Sequence, residues 1–208
     1  MLIKLGLVED DSILLDNYRE FFGGDDTFEV VFSIRDLKEL SKLKSCDRPD
    51  IILLDLMLPS GNSLDQIHVI KQFFPKASII IFSSVSEPNI SRMALYKGAN
   101  GFLLKSSSLQ FIKDALHKAF EGGIPLSPSI VNHLLEVRQV AQSLKEAYPK
   151  LTKREVELIY LLKTGMSNKM AASMLKVTFF TINHHAKNIY RKLKIHSKSE
   201  LIAITTNF

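Results

Sequence analysis

At 208 residues, 46% hydrophobic and 24% charged, the chain has the makeup of an ordinary globular protein, with room for one large domain or two modest ones. No apolar run approaches the ~18 residues that span a bilayer, and the opening stretch runs straight into Glu9-Asp10-Asp11 with no room for a signal peptide, so a cytoplasmic location with no membrane contact is expected. The single cysteine, Cys46, excludes an internal disulfide.

The net charge of +5 conceals an asymmetry. Residues 1–124 hold 14 Lys+Arg against 17 Asp+Glu, whereas residues 125–208 hold 13 against 5. A mildly acidic front and a basic back point to two domains with different partners, the second a polyanion such as nucleic acid.

In chain order, five short apolar runs read as strands: Ile3–Val8, Phe28–Ile34, Ile51–Leu54, Ser78–Ser83 and Gly101–Leu104. Helix-period stretches at 12–22, 36–44, 64–73, 87–97 and 107–121 alternate with them, and Pro88 suits the first turn of the fourth. This alternation predicts a parallel sheet with helices on both faces. It ends at Gly122-Gly123-Ile124-Pro125, and a helical linker over 129–148 follows, closed by Pro149. Beyond it the pattern is all helical, with segments near 153–163, 168–175, 179–193 and 198–205. Thr152 with Glu155 and Ser197 with Glu200 have capping-box spacing, and Ser167 and Thr178 suit N-caps.

Parallel sheets of this kind place their sites beyond the carboxyl ends of the strands. Strand one ends in Glu9-Asp10-Asp11, strand three in Asp55, strand four in Ser83-Ser84 and strand five in Lys105. Each alone reads blandly: Asp55 as a strand-end cap, Lys105 as a solvated charge, Phe102 as core. Together they bring repelling carboxylates, a hydroxyl and an ammonium to one edge, which calls for a cation. Oxygen donors suit Mg²⁺.

The runs Leu7-Val8-Glu9-Asp10-Asp11, Ile51-Ile52-Leu53-Leu54-Asp55-Leu56-Met57-Leu58-Pro59, Ile81-Phe82-Ser83-Ser84 and Gly98 through Lys105 resemble the receiver domain of two-component response regulators over residues 1–122. The resemblance implies that Asp55 accepts a phosphoryl group from a sensor histidine kinase or another phosphodonor. It implies that Glu9, Asp10, Asp55 and the backbone carbonyl of Met57 hold Mg²⁺. Lys105 would pair with the phosphoryl oxygens, Ser83 would hydrogen-bond them, and Phe102 would rotate inward as the switch. Ser63 and Ser106 stand where many relatives carry Gly and Pro. A phosphatase of the haloacid dehalogenase type is rejected, because it needs a second Asp where this chain has Met57.

In the basic part, Leu151-Thr152-Lys153-Arg154-Glu155, Gly165 through Lys169, Thr181 through His185 and Asn188 through Leu193 resemble the LuxR-type helix-turn-helix over residues 149–208. With a receiver in front, the chain is similar to the NarL/FixJ class. The implied architecture is a flavodoxin-like, doubly wound five-stranded parallel receiver, a partly helical linker over 123–148, and an all-α four-helix DNA-binding domain. The implied function is transcription regulation by a signalling protein whose only catalysis is its own phosphotransfer and slow dephosphorylation.

Independently of that match, Ile182, Ala186, Ile189 and Leu193 recur at helical spacing and should face the core. Asn183, His184, Lys187, Asn188 and Arg191 fall on the other faces, a polar and basic surface that fits a major groove. The LuxR-type resemblance implies that Asn183, His184 and Lys187 read base edges, that Lys169, Arg191 and Lys192 contact the DNA backbone, and that the activated protein binds paired half-sites as a homodimer. Adjacent His184 and His185 point about 100° apart on a helix and make no metal pair. Leu201, Ile202 and Ile204 either help pairing or close the core. Phe179, Phe180 and Met170 depart from the family pattern, which leaves a regulator acting through protein contacts as the alternative; three settings are open to Phe179 and Phe180, a thymine methyl, a partner protein or a locally repacked core.

Overall fold

The computed structural model describes residues 2–43 and 48–205, with the side chains of all but Val137 and Arg138. Cys46 lies outside the described residues. The chain divides into two compact units, Met1–Val131 and Asn132–Phe208.

In the first unit, β1 (Ile3–Val8), α1 (Ser12–Gly23), β2 (Phe28–Ile34) and β3 (Ile51–Asp55) come first. A two-residue hairpin of β4 (Met57–Leu58) and β5 (Gly61–Asn62) follows. Then come α2 (Ile67–Phe73), β6 (Ser78–Ser83), α3 (Pro88–Tyr96), β7 (Gly101–Leu104) and α4 (Leu109–Phe120). The five long strands are parallel in the order β2-β1-β3-β6-β7, the flavodoxin-like arrangement.

Because side chains alternate along a strand, each strand feeds two cores. Ile51 and Leu53 pack with Leu15, Phe22, Ile112 and Leu116 of α1 and α4. Ile52 and Leu54 pack with Leu40, Ile67, Ile70 and Ala94 on the other face. All five residues of β3 are buried, as a central strand covered on both sides requires.

The segment expected to be helical over 36–44 is a 3-10 stretch, Leu37–Lys42. Its apolar Leu37 and Leu40 are three apart, the spacing a 3-10 helix stacks on one side, and an Asp36–Glu39 capping box starts it. Likewise Ser63–Gln66 is 3-10 before α2 begins. The turn there takes its positive φ at Gly61, at 111°, so Ser63 needs none of the freedom of glycine.

The first unit runs past residue 122 for a reason of backbone chemistry. Residues 125–127 lie along the free edge of β7: the Phe102 N–H donates to the Pro125 carbonyl, and the Ser127 N–H donates to the Phe102 carbonyl. Ser127 Oγ accepts from the Leu104 N–H at 2.9 Å. This segment satisfies an edge that would otherwise be bare, and α5 (Pro128–Ala147) starts directly after it.

The second unit holds α6 (Lys153–Lys163), α7 (Asn168–Met174), α8 (Phe179–Leu193) and α9 (Lys198–Thr205). Thr152, Ser167 and Thr178 each cap the following helix by accepting from a backbone N–H of its first turn. Ile182, Ala186, Ile189 and Leu193 form the buried stripe of α8, as their spacing predicts. Leu201 is fully buried, so it closes the core and is not free for pairing.

Candidate functional site

Three strand ends build the acidic pocket. Glu9, Asp10 and Asp55 each offer a carboxylate oxygen, and these atoms lie within 4.8 Å of one another. Glu9 and Asp55 are buried. Between them sits the Lys105 ammonium, 2.6 Å from Glu9 Oε2 and 3.1 Å from Asp55 Oδ1. Asp55 Oδ1 also accepts from the Leu56 N–H at 2.8 Å.

The electrostatics follow from burial. Loss of water pushes the Asp55 carboxyl upward, and Asp10 adds to this, while Lys105 and the Leu56 amide pull part of the way back. Glu9 is pushed up by the same burial and by Asp55, against Lys105. For Lys105, burial acts to lower the ammonium, but Glu9 and Asp55 outweigh it and the net direction is up. The pocket thus holds more negative charge than its one lysine neutralises. Hard oxygen donors this close together fit a divalent cation such as Mg²⁺.

The remaining expected residues fall around this pocket. Ser83 is buried, and its Oγ accepts from the Val85 N–H at 3.0 Å. The Phe102 ring is fully buried in the core. Met57 follows Asp55 by two residues in β4, with its side chain in solvent. Asp11 is no ligand; it caps α1 by accepting from the Ile13 and Leu14 N–H groups.

Two contributors escape a sequence reading. Arg35 Nε donates to the Asp10 carbonyl at 3.0 Å and so steadies the acidic loop from β2. Tyr18 packs edge-on against Phe82 at 5.1 Å, and its phenol, raised by burial, feels the charges of Lys105, Glu9 and Asp55. Its place in the Leu15–Tyr18–Phe22 stripe of α1 marked it as core alone.

The second site is the outer face of α8. His184, Lys187 and Arg191 are exposed, and Asn183 is half-buried, its Oδ1 accepting from Asn168 Nδ2 at 2.8 Å. Lys169 and Met170 on α7 are exposed. Arg191 donates to Asn188 at 3.1 Å. Lys192, expected at the DNA backbone, instead pairs with Glu155, because that buried carboxylate needs a countercharge. Residues 158–199 contain no Asp or Glu and seven Lys+Arg besides Lys192, so this part of the unit attracts anions.

The family model for the response regulator receiver domain matches residues 5–117, and that for bacterial regulatory proteins of the luxR family matches residues 149–205. The chain is a response regulator. It pairs a receiver domain with a LuxR-type DNA-binding domain. This response regulator is 27% identical over 202 residues to the response regulator protein VraR of Staphylococcus epidermidis, covering 97% of this chain and 95% of that one. VraR of Staphylococcus aureus matches at the same identity and coverage. Among solved structures, RcsB of Salmonella typhimurium superposes with a TM-score of 0.59 at 22% identity, covering 100% of this chain and 99% of that one. A LuxR-family response regulator from Aurantimonas sp. superposes with a TM-score of 0.61 at 28% identity, over 66% of this chain and 99% of that one. RcsB has also been solved as two dimers bound to two DNAs. No helix among the described residues is long and apolar enough to cross a membrane.

Proposed function

We propose that Asp55 accepts a phosphoryl group and that this modification controls DNA binding by residues 149–208, with residues 1–122 as the receiver and 123–148 as the connection. The observation that carries the reading is the convergence of Glu9, Asp10, Asp55 and Lys105 at one sheet edge. Glu9, Asp10 and Asp55, with the Met57 carbonyl, are the residues to hold Mg²⁺, which when bound neutralises charge on the transferring phosphoryl oxygens.

The chain's own groups divide the remaining work. Lys105 and the Leu56 amide both engage Asp55 Oδ1, which leaves Oδ2 as the attacking oxygen. The new Oδ2–phosphorus bond forms as the donor's bond to phosphorus breaks, giving an acyl phosphate on Asp55. The phosphodonor is a sensor histidine kinase or a small acyl phosphate. Lys105 then exchanges its hold on Asp55 for a phosphoryl oxygen. The Ser83 hydroxyl accepts from Val85, so its proton is available to donate to another. Phe102, already inward, locks the repacked loop. The receiver in this way promotes its own phosphotransfer and its slow hydrolysis.

On the DNA side, Asn183, His184 and Lys187 read base edges, while Lys169 and Arg191 contact phosphates. RcsB, with the same fold, binds DNA as dimers, which supports a homodimer on half-sites roughly one helical turn apart, in the cytoplasm. Incubation with acetyl phosphate and Mg²⁺ followed by intact mass tests the first step. One added phosphoryl group is expected for the natural chain and none for Asp55→Asn; phosphorylation of both overturns the assignment.

A further inference from the structure

The face of α8 carries one side chain that the charge logic does not account for. Phe180 is 83% exposed and Phe179 beside it 48%, their rings edge to face at 6.4 Å. A fully wetted phenyl at the start of a helix gains nothing for the fold, because no core contact repays its exposure.

Its position is informative. Phe180, His184, Lys187 and Arg191 are spaced by four, three and four residues, and all four are exposed. At 100° per residue they fall within about 60° of one another, in a stripe roughly 16 Å long. Phe180 also lines the same groove as Asn183, His184 and Lys187. The phenyl therefore heads the row of side chains that faces outward, at the helix end that enters a groove first in helix-turn-helix docking.

We propose that Phe180 is a specificity-determining residue that reads thymine through its C5-methyl group in the major groove. This rests on the DNA-binding reading above and deepens it. Charge decides the occupant: the surrounding stretch 158–199 has no acid and seven cations besides Lys192, which Glu155 neutralises, and this suits a phosphate-flanked surface better than a protein patch. Among base edges only thymine offers an apolar group in that groove, and phenylalanine is a fitting partner for it. Asn183 and Lys187, about one and two turns further along, hydrogen-bond to the next bases, so the sites recognised begin with a thymine at the outer position of each reading element.

The test uses the full chain, phosphorylated with acetyl phosphate, to enrich duplexes from a random library. Each thymine of the enriched site is then replaced by deoxyuridine, which removes the methyl group alone. One position per half-site is expected to lose about fourfold in affinity for the natural chain, the effect of one buried methyl. Phe180→Ser, whose side chain is in solvent and leaves the fold intact, is expected to bind more weakly and to be indifferent to that replacement. If duplexes are enriched but uracil is tolerated at every position, or costs Phe180→Ser as much as the natural chain, the proposal falls and DNA binding stands. If no duplex is enriched, both fall, and a protein partner for the phenyl pair is the surviving account.

Discussion

Lys192 donates to both carboxylate oxygens of Glu155, at 2.9 and 2.6 Å, from the far end of α8 to the first turn of α6. Glu155 meanwhile accepts from the Thr152 N–H at 2.7 Å and is 2% exposed. One buried carboxylate thus starts α6 and ties α8 to it, so the position of α8 depends on this pair.

Removing Lys192 leaves that carboxylate buried and unpaired. Lys192→Ala is expected to cost about 3 kcal/mol, the low end for an orphaned buried charge, because the lysine side chain remains 24% exposed. Urea unfolding of the full chain checks this; an unchanged midpoint would contradict it.

The same pair sets a pH limit. Burial acts to raise the Glu155 carboxyl, but Lys192 and the Thr152 amide and hydroxyl outweigh it and hold it below 4.5. A depressed carboxylate adds stability above its unfolded value and loses it as pH falls through the folded one. Acid unfolding of the second unit is therefore expected to begin below pH 4.5 in the natural chain, and Glu155→Gln should flatten that limb in a circular-dichroism titration.

In the acidic pocket the sign is opposite. Burial holds Asp55 above its ordinary value, so the ionised form opposes folding at neutral pH. In EDTA, Asp55→Asn is expected to unfold at a higher temperature than the natural chain. With Mg²⁺ at a hundredfold over its Kd, the natural chain should gain about 2.7 kcal/mol and the variant clearly less. Thermal scans in both buffers would refute this by showing no difference in response.

Gly101 lets the 125–127 segment approach β7. A Cβ there would lie 2.6 Å from the Pro125 carbonyl oxygen and 2.7 Å from its Cγ. Gly101→Ala is expected to cost about 1–3 kcal/mol by overpacking and to speed hydrogen exchange at the Phe102 amide, which donates to Pro125. Unaltered exchange there would show that the segment is not held as described.

Most of this architecture was legible because its signals are local. Strand runs such as Ile51 through Leu54 are apolar on both faces, the α8 stripe keeps helical spacing, and caps such as Thr152 announce helix starts. The pocket was legible because parallel strands put their ends on one edge, so residue order along the chain located Glu9, Asp55 and Lys105 together. What escaped depends on long-range partners. Pairing of Lys192 with Glu155 spans 37 residues, and each alone reads as a surface charge or a cap. The 125–127 edge uses backbone groups, which leave no side-chain pattern beyond Gly101 and Pro125. The 3-10 stretch at Leu37–Lys42 shares its apolar spacing with an α-helix and differs only in length and winding.

If phosphate on Asp55 changes how residues 149–208 bind DNA, affinity for an enriched duplex must differ with and without acetyl phosphate and Mg²⁺. The natural chain should shift by a factor in the range of about 5 to 150, the usual size of such coupling, and Asp55→Asn should not respond. Equal affinities in the treated and untreated natural chain, or an equal shift in Asp55→Asn, would mean that Asp55 does not control DNA binding.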